Sequence, residues 1–437
     1  MVFLPEKRPR SFIKRWFSKL VLSVLETGNL HLELPDGECL IVGDNTGPLI
    51  YVQLTRWQAL YKLVLDPELA VGEAYMDGDL LMVQGEVYDL LDLIFSNLTV
   101  NTVPEPSRTV RAMATAALRR GGYNSRSRSR DNVAHHYDLD GRLYDLFLDR
   151  DAQYSCGYFE EGCDDLDVAQ LAKKRHLAAK LDLKPGHKVL DIGSGWGGLA
   201  LYLARTCEAS VKGVTLSTEQ LAVSQQRVAQ EGLGNRVQFA LTDYRDVCDR
   251  FDRIVSVGMF EHVGPKSYPE FFATLRTLLA DDGVAVLHYI GRATQPSKTN
   301  PWITKYIFPG GYTPSLSEVL PEIEKQGLTV TDIEVLRLHY AETLRYWRQR
   351  FAANRDKAVD LYDERFARMW EFYLAASETG FRYQGLVIHQ IQICAPEAKL
   401  PLTRTYIDAG EKRLAAQEEP LRYAGDAVSE DALKLPA

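Results

Sequence analysis

From residue 167 to 290 the apolar positions alternate between two spacings. Short, β-branched-rich runs at 189–192, 210–217, 237–241, 251–257 and 284–290 predict buried strands. Apolar residues at helical spacing over 168–181, 199–204, 219–232 and 268–279 predict helices. Strands alternating with helices predict a doubly wound, mostly parallel α/β sheet. A further strand at 329–339, helices within 342–378 and a last strand at 386–394 extend this domain, and a polar tail after Pro396 is expected to be peripheral.

The first hundred residues have another rhythm. Leu30-His31-Leu32-Glu33-Leu34 and Cys39-Leu40-Ile41-Val42, broken by Pro35-Asp36-Gly37, predict a hairpin; 57–65 and 86–98 return to helical spacing, with 71–79 expected as the loop between them. The expected organisation is a smaller N-terminal α+β domain over 1–102, a linker rich in Arg, Ser, Pro and Gly over 103–131, the α/β domain over 132–396 and a tail over 397–437. Residues 300–327, with Trp302, Tyr306, Phe308 and Tyr312 among Pro and Gly, suit an irregular lid or an acyl pocket.

Composition narrows the function classes. A net charge of −8 argues against a general nucleic-acid binder. The six cysteines form no C-x-x-C pair, so no metal site or disulfide framework is suggested, and a reducing cytoplasmic setting is expected. No apolar run approaches the ~20 residues of a membrane span. Membrane contact would therefore be peripheral, and the opening helix invites it: Lys7, Arg8, Arg10, Lys14, Arg15 and Lys19 are threaded by Phe12, Trp16, Phe17, Leu20 and Val24. Such a helix lies on an anionic bilayer or packs on its own domain, and the sequence supports the two equally.

Candidate chemistry gathers where the predicted strands end. Asp191-Ile192-Gly193-Ser194-Gly195-Trp196-Gly197-Gly198 is a glycine-rich strand-to-helix turn of the kind that lets a nucleotide cofactor approach the backbone, though alone it is only a turn. The later strand ends contribute Thr215, Ser217, Asp243, Glu261 and His288. A dinucleotide site wants an acid after the second strand, and here that position is Thr215-Leu216-Ser217. Asp243-Tyr244 instead offers an acceptor and a ring for an adenine. Taken singly, Asp243 could be a turn cap, Glu261 an ion-pair member and His288 a satisfied core histidine. The dense aromatic stretch 132–161 suggests the wall of a site, although aromatic residues mostly fill cores.

Together, His136-Tyr137-Asp138, Tyr154-Ser155-Cys156-Gly157-Tyr158-Phe159, Leu190 to Gly197, Gly213-Val214-Thr215-Leu216-Ser217 with Gln220, Met259-Phe260-Glu261-His262-Val263-Gly264 and Leu287-His288-Tyr289-Ile290-Gly291 resemble the cyclopropane-fatty-acyl-phospholipid synthases. The resemblance implies a class I methyltransferase-like Rossmann fold and an S-adenosylmethionine-dependent enzyme acting on unsaturated phospholipid acyl chains, peripheral to the inner face of the cytoplasmic membrane and commonly homodimeric. It implies a cofactor site at Tyr137, Tyr154, Ser155, Asp191, Gly193, Gly195, Thr215, Ser217, Gln220, Asp243 and Tyr244. It also implies a bound bicarbonate held by Glu261, His288 and Tyr340 with backbone groups of Cys156 and Ile290. Cys156 as a covalent nucleophile is the weaker alternative, because transfer from a sulfonium requires none. The intact base set favours closure to a cyclopropane ring; a methylene- or methyl-branched chain is the alternative within the family, whose members with different outcomes share most of these motifs, and a non-catalytic lipid-binding protein on the same fold is the alternative of another class.

Overall fold

A computed structural model describes residues 11–98 and 140–425. The linker at 103–131 and Tyr137 lie outside the described residues. The chain divides into two compact units: one gathers 11–98 with Thr299–Pro309 and Leu344–Leu386, the other 140–298 with Gly310–Thr343 and 387–425. Contacts thus divide 132–396 between two units, whereas the sequence suggested one domain there.

In the first unit, β1 (Leu30–Glu33), β2 (Cys39–Val42), β3 (Ile50–Leu54) and β4 (Leu80–Gln84) form a sheet in the order β2-β1-β3-β4. The expected hairpin is β1 against β2. The expected loop at 71–79 is instead mostly helix, Pro67–Met76, started by Asp66, whose side chain accepts the Leu69 amide, with Pro67 in its first turn. Gly72, within that expected loop, is a point of close packing: a Cβ there would sit 2.4 Å from Trp302 Nε1. Trp302, in the stretch expected as an irregular lid or acyl pocket, is a buried residue on a short helix, Pro301–Tyr306. The helix Ser11–Val24 buries Phe17 in this unit's core beside Val21 and Val24, and Lys14 reaches Asp36 and Glu38 at 2.8 and 2.5 Å. That face packs on its own domain.

The second unit carries a seven-stranded sheet of β5 (Lys188–Ile192), β6 (Ser210–Thr215), β7 (Val237–Leu241), β8 (Phe251–Val257), β9 (Leu279–Arg292), β10 (Thr329–Leu336) and β11 (Leu386–Cys394), ordered β10-β11-β9-β8-β5-β6-β7. β5 through β9 pair in parallel, and β10 runs antiparallel to β11. The chain winds outward through β6 and β7 and then returns to the other side of β5. That reversal opens the crevice at the strand ends where doubly wound sheets bind ligands.

Strand alternation sorts the side chains by face. Leu190, Ile192, Ile254, Leu287 and Tyr289 pack under the helices Tyr268–Leu278 and Leu316–Glu324. Val189, Val211, Val255 and Val286 pack under Leu166–Lys180 and Gly198–Thr206. Asp191, two residues past Val189, and His288, two past Val286, therefore share the second face. The expected peripheral tail covers the same face. In the helix Thr405–Gly425, Ile407 and Leu414 are buried, and Glu418 accepts from Arg175 Nη2 at 2.9 Å and Tyr202 OH at 2.5 Å.

Candidate active site

Asp191 ends β5 and the glycine turn follows, with positive φ at Gly193 (+81°), Gly195 (+53°) and Gly197 (+85°). A Cβ on Gly193 would lie 2.9 Å from the Met259 Cβ after β8, so this position needs glycine twice, for its φ and for its neighbour. The turn floors a cleft lined by Gln153, Tyr154, Ser155, Asp191, Gly193, Gly195, Trp196, Thr215, Gln220, Asp243, Tyr244, Arg245, Met259 and His262, among others. Of the cofactor positions expected from sequence and described, only Ser217 is not on that lining. It is buried and caps the helix Thr218–Gln230, accepting the Gln220 amide at 3.2 Å. Thr215 Oγ1 accepts from the Ser217 amide and donates to Gln220 Oε1 at 2.8 Å, so these three side chains hold one another.

Asp243 is both of the things weighed for it. It lines the cleft, it caps the turn after β7 by accepting the Arg245 amide, and both its oxygens take the Arg245 guanidinium at 2.8 and 2.6 Å. An adenine amino group would share a carboxylate whose charge is already balanced. Arg245 was not foreseen, since a residue two past a motif acid has no signature of its own. Tyr158, expected in the wall, is instead stacked between the rings of His176 and His339, at 4.2 and 5.1 Å.

Asp191 Oδ2 is buried with no partner among the described residues, and burial raises its pKa to about 7 against the pull of Lys173. Arg227 and Lys174 hold Asp151, and Asp151 lies against Gly198, where a Cβ would be 2.3 Å from its Oδ2. The start of the helix after the glycine turn is thus covered by the chain's own carboxylate, unfavourable for a dinucleotide pyrophosphate and tolerable for a cofactor without phosphates. Lys173 was also missed by sequence reasoning. The signal available was Lys173-Lys174-Arg175-His176, four cationic residues in succession on a helix required to cover a sheet.

The acid–base set lies off this cleft lining. Glu261 sits in the short turn after β8, where its Oε1 accepts the Ile290 amide at 2.6 Å and its Oε2 is buried without a partner among the described residues. Burial lifts its pKa from 4.5 to about 7, so the acid holds its proton far above the usual range. The Ile290 amide, expected to face an anion, is spent on Glu261. His288 Nδ1 accepts from Gln390 Nε2 at 3.1 Å, which places the ring proton on Nε2, itself buried without a partner among the described residues. Burial, with Lys173 and Lys180 nearby, keeps this imidazole neutral. The Cys156 thiol donates to the Gly157 carbonyl and is pushed well above its ordinary pKa by burial, which suits no nucleophile. The next amide, of Gly157, donates to Thr343 Oγ1 at 3.0 Å, one turn after the buried Tyr340 on the same helix. The structure therefore forms two pairs, Glu261 with Ile290 and Cys156 beside the Tyr340 helix. The orphaned Glu261 Oε2 and His288 Nε2 fit a small anion bearing a proton, as bicarbonate does.

Known proteins resemble this chain in sequence and in fold. Residues 124–391 match the family described as mycolic acid cyclopropane synthetase. The chain is 41% identical over 338 residues to the cyclopropane-fatty-acyl-phospholipid synthase of Escherichia coli, covering 76% of this chain and 84% of that one. It is 38% identical over 378 residues to the tuberculostearic acid methyltransferase UfaA1 of Mycobacterium tuberculosis, covering 83% and 86%. Among solved structures, the mycolic acid cyclopropane synthase CmaA1 complexed with SAH and CTAB aligns with a TM-score of 0.58 at 34% identity, over 61% of this chain and 98% of that one. The chain belongs to the mycolic acid cyclopropane synthetase family and is an S-adenosylmethionine-dependent methyltransferase of class I fold.

Proposed function

We propose that this enzyme methylates the cis double bond of unsaturated phospholipid acyl chains and closes the resulting cation to a cyclopropane ring. One observation carries the reading: in a methyltransferase of this family, Glu261 Oε2 and His288 Nε2 are buried polar atoms without partners among the described residues. When bound, S-adenosylmethionine supplies the methyl as a sulfonium, and bicarbonate supplies the base that takes a proton from the added methyl. An isolated double bond is a weak nucleophile, so the chain's first task is to hold the donor in line in a dry site. Protonated Glu261 donates from Oε2 without adding negative charge, and neutral His288 donates from Nε2. Tyr340 and backbone at Cys156 complete the holder, with Ile290 orienting Glu261. None of these groups is a ready nucleophile, so the lipid cation is not trapped by protein.

The test is mass spectrometry and proton NMR of phosphatidylglycerol with oleoyl chains after incubation with labelled S-adenosylmethionine. The expected product gains CH2, loses its olefinic protons and shows high-field ring methylene protons. A labelled product without ring protons is the branched-chain alternative, which the likeness to a protein named tuberculostearic acid methyltransferase favours. No label on any unsaturated lipid sinks the enzymatic reading in favour of lipid binding alone. No helix among the described residues is long and apolar enough to cross a membrane. We assign bilayer contact to Arg15 and Lys19, which are exposed on the first helix while Phe17 is buried. Replacing both with Ala is expected to weaken binding to anionic vesicles about tenfold at low salt, with the difference vanishing at high salt. Equal binding at low salt overturns the assignment.

A further inference from the structure

The helix Leu166–Lys180 buries five cationic side chains, Lys173, Lys174, Arg175, His176 and Lys180. Four of them have a carboxylate within 4 Å: Lys174 has Asp151, Arg175 has Glu160 and Glu418, His176 has Glu334 and Glu411, and Lys180 has Asp332 and Glu334. Lys173 has none among the described residues. Its ammonium, 1% exposed, donates to Gln153 Oε1 at 2.6 Å and Ser155 Oγ at 2.8 Å, both neutral acceptors, and both residues line the cofactor cleft. Asp149 and Asp151 act on it only through space; a buried cation whose direct partners are all neutral is costly, and a folded chain that keeps one gains where an anion arrives to complete it.

The direction of these hydrogen bonds says where the anion would be. Because Ser155 Oγ accepts from Lys173, the hydroxyl proton must point elsewhere, and it has no acceptor among the described residues. Gln170 Nε2 fixes the Ser155 carbonyl at 2.8 Å and so holds the residue in place. Across the same cleft, Asp191 Oδ2 is a buried acceptor without a donor among the described residues. A donor backed by a cation and an unpaired acceptor, both on one cleft, match the carboxylate and the ammonium of an amino-acid zwitterion.

We propose that Lys173 is a positioning residue for the cofactor: by donating to Ser155 Oγ it turns that hydroxyl toward the carboxylate of the cofactor's amino-acid end, leaving the ammonium to Asp191. This rests on the cleft being the S-adenosylmethionine site. The experiment compares the affinity of S-adenosylhomocysteine with that of its decarboxylated analogue, which keeps the ammonium, in wild type, Lys173→Met, Lys173→Arg and Ser155→Ala. The wild type is expected to prefer the carboxylate-bearing ligand. Lys173→Met should weaken S-adenosylhomocysteine roughly tenfold to a hundredfold while changing the decarboxylated analogue less than about threefold, a change within measurement scatter on the ~1.4 kcal/mol-per-decade scale. Lys173→Arg should recover part of the loss, and Ser155→Ala should repeat the selective loss. Equal losses of both ligands in Lys173→Met, or none, overturn the proposal. If that variant does not fold, Ser155→Ala decides by the same selectivity. A wild type that binds neither ligand fails the cofactor-site reading itself, an outcome distinct from wild-type binding with no selectivity in the variants.

Discussion

The glycine turn after β5 and the turn carrying Glu261 after β8 sit at neighbouring strand ends, yet they are made by different means. The first is a matter of backbone: three positive φ angles and no room for a Cβ between Gly193 and Met259. The second is a matter of solvent: an acid with one amide on Oε1 and, among the described residues, no partner on Oε2, its pKa lifted to about 7 by burial. On the proposed function, conformation at the first site governs whether cofactor is held, and desolvation at the second governs what happens to it.

Substitution at the second should therefore act on turnover alone. Glu261→Gln keeps the shape and the Ile290 contact but cannot share a proton with the bicarbonate that the site would hold, and turnover is expected to fall about a hundredfold, the lower end of the range for groups that take part in proton transfer, with S-adenosylhomocysteine affinity little changed. Isothermal titration beside a labelled-lipid assay measures both. Collapse of cofactor binding would merge the two sites and end the distinction.

The converse is Gly193→Ala. A residue with a side chain at φ +81° is strained, and its Cβ would press on Met259. Cofactor affinity is expected to drop roughly tenfold or more, on a strain of about 1–3 kcal/mol, with turnover at saturating cofactor retained. Turnover lost at full saturation would show that this turn does more than hold.

This division also decides what could be read from the sequence. Glycines at Gly193, Gly195 and Gly197, and the alternating runs that became β5 to β9, are local patterns with local causes, and they were legible. The stretch 71–79 was expected as a loop, but its Gly72 sits in a helix and admits a tryptophan against it, which only the fold shows. The tail looked polar because its helix buries a single narrow stripe, Ile407 and Leu414, and pairs its buried acid Glu418 with an arginine 243 residues away. Lys173 was illegible for the same reason: whether a cation has a carboxylate in contact is a fact about space. Glu261 and His288 were named from a family resemblance, and their burial and empty atoms became visible only in three dimensions.

A smaller effect separates positioning from chemistry within the second site. Gln390 Nε2 donates to His288 Nδ1 and so fixes which ring nitrogen bears the proton. Gln390→Leu removes that choice, and turnover is expected to fall about tenfold, in the range of supporting residues around a functional histidine, with no change in cofactor affinity. Unchanged turnover would mean that His288 keeps its tautomer by other contacts.

The smallest effect concerns stability and follows from the sign of the Glu261 shift. Its folded pKa, about 7, lies above the ordinary 4.5 because burial penalises the carboxylate. The protonated form thus favours the folded state. The benefit is complete below about pH 4.5 and is lost as pH rises through 7. A shift of this size corresponds to about 3 kcal/mol at most, using 1.36 kcal/mol per unit, partly offset as water and neighbours relax. Glu261→Gln, neutral at every pH, should therefore match the wild type in thermal midpoint near pH 5 and exceed it at pH 8. The same substitution that removes turnover would raise stability, and only on the alkaline side. A midpoint difference that is constant with pH would place the Glu261 proton elsewhere and return this turn to ordinary ion-pair behaviour.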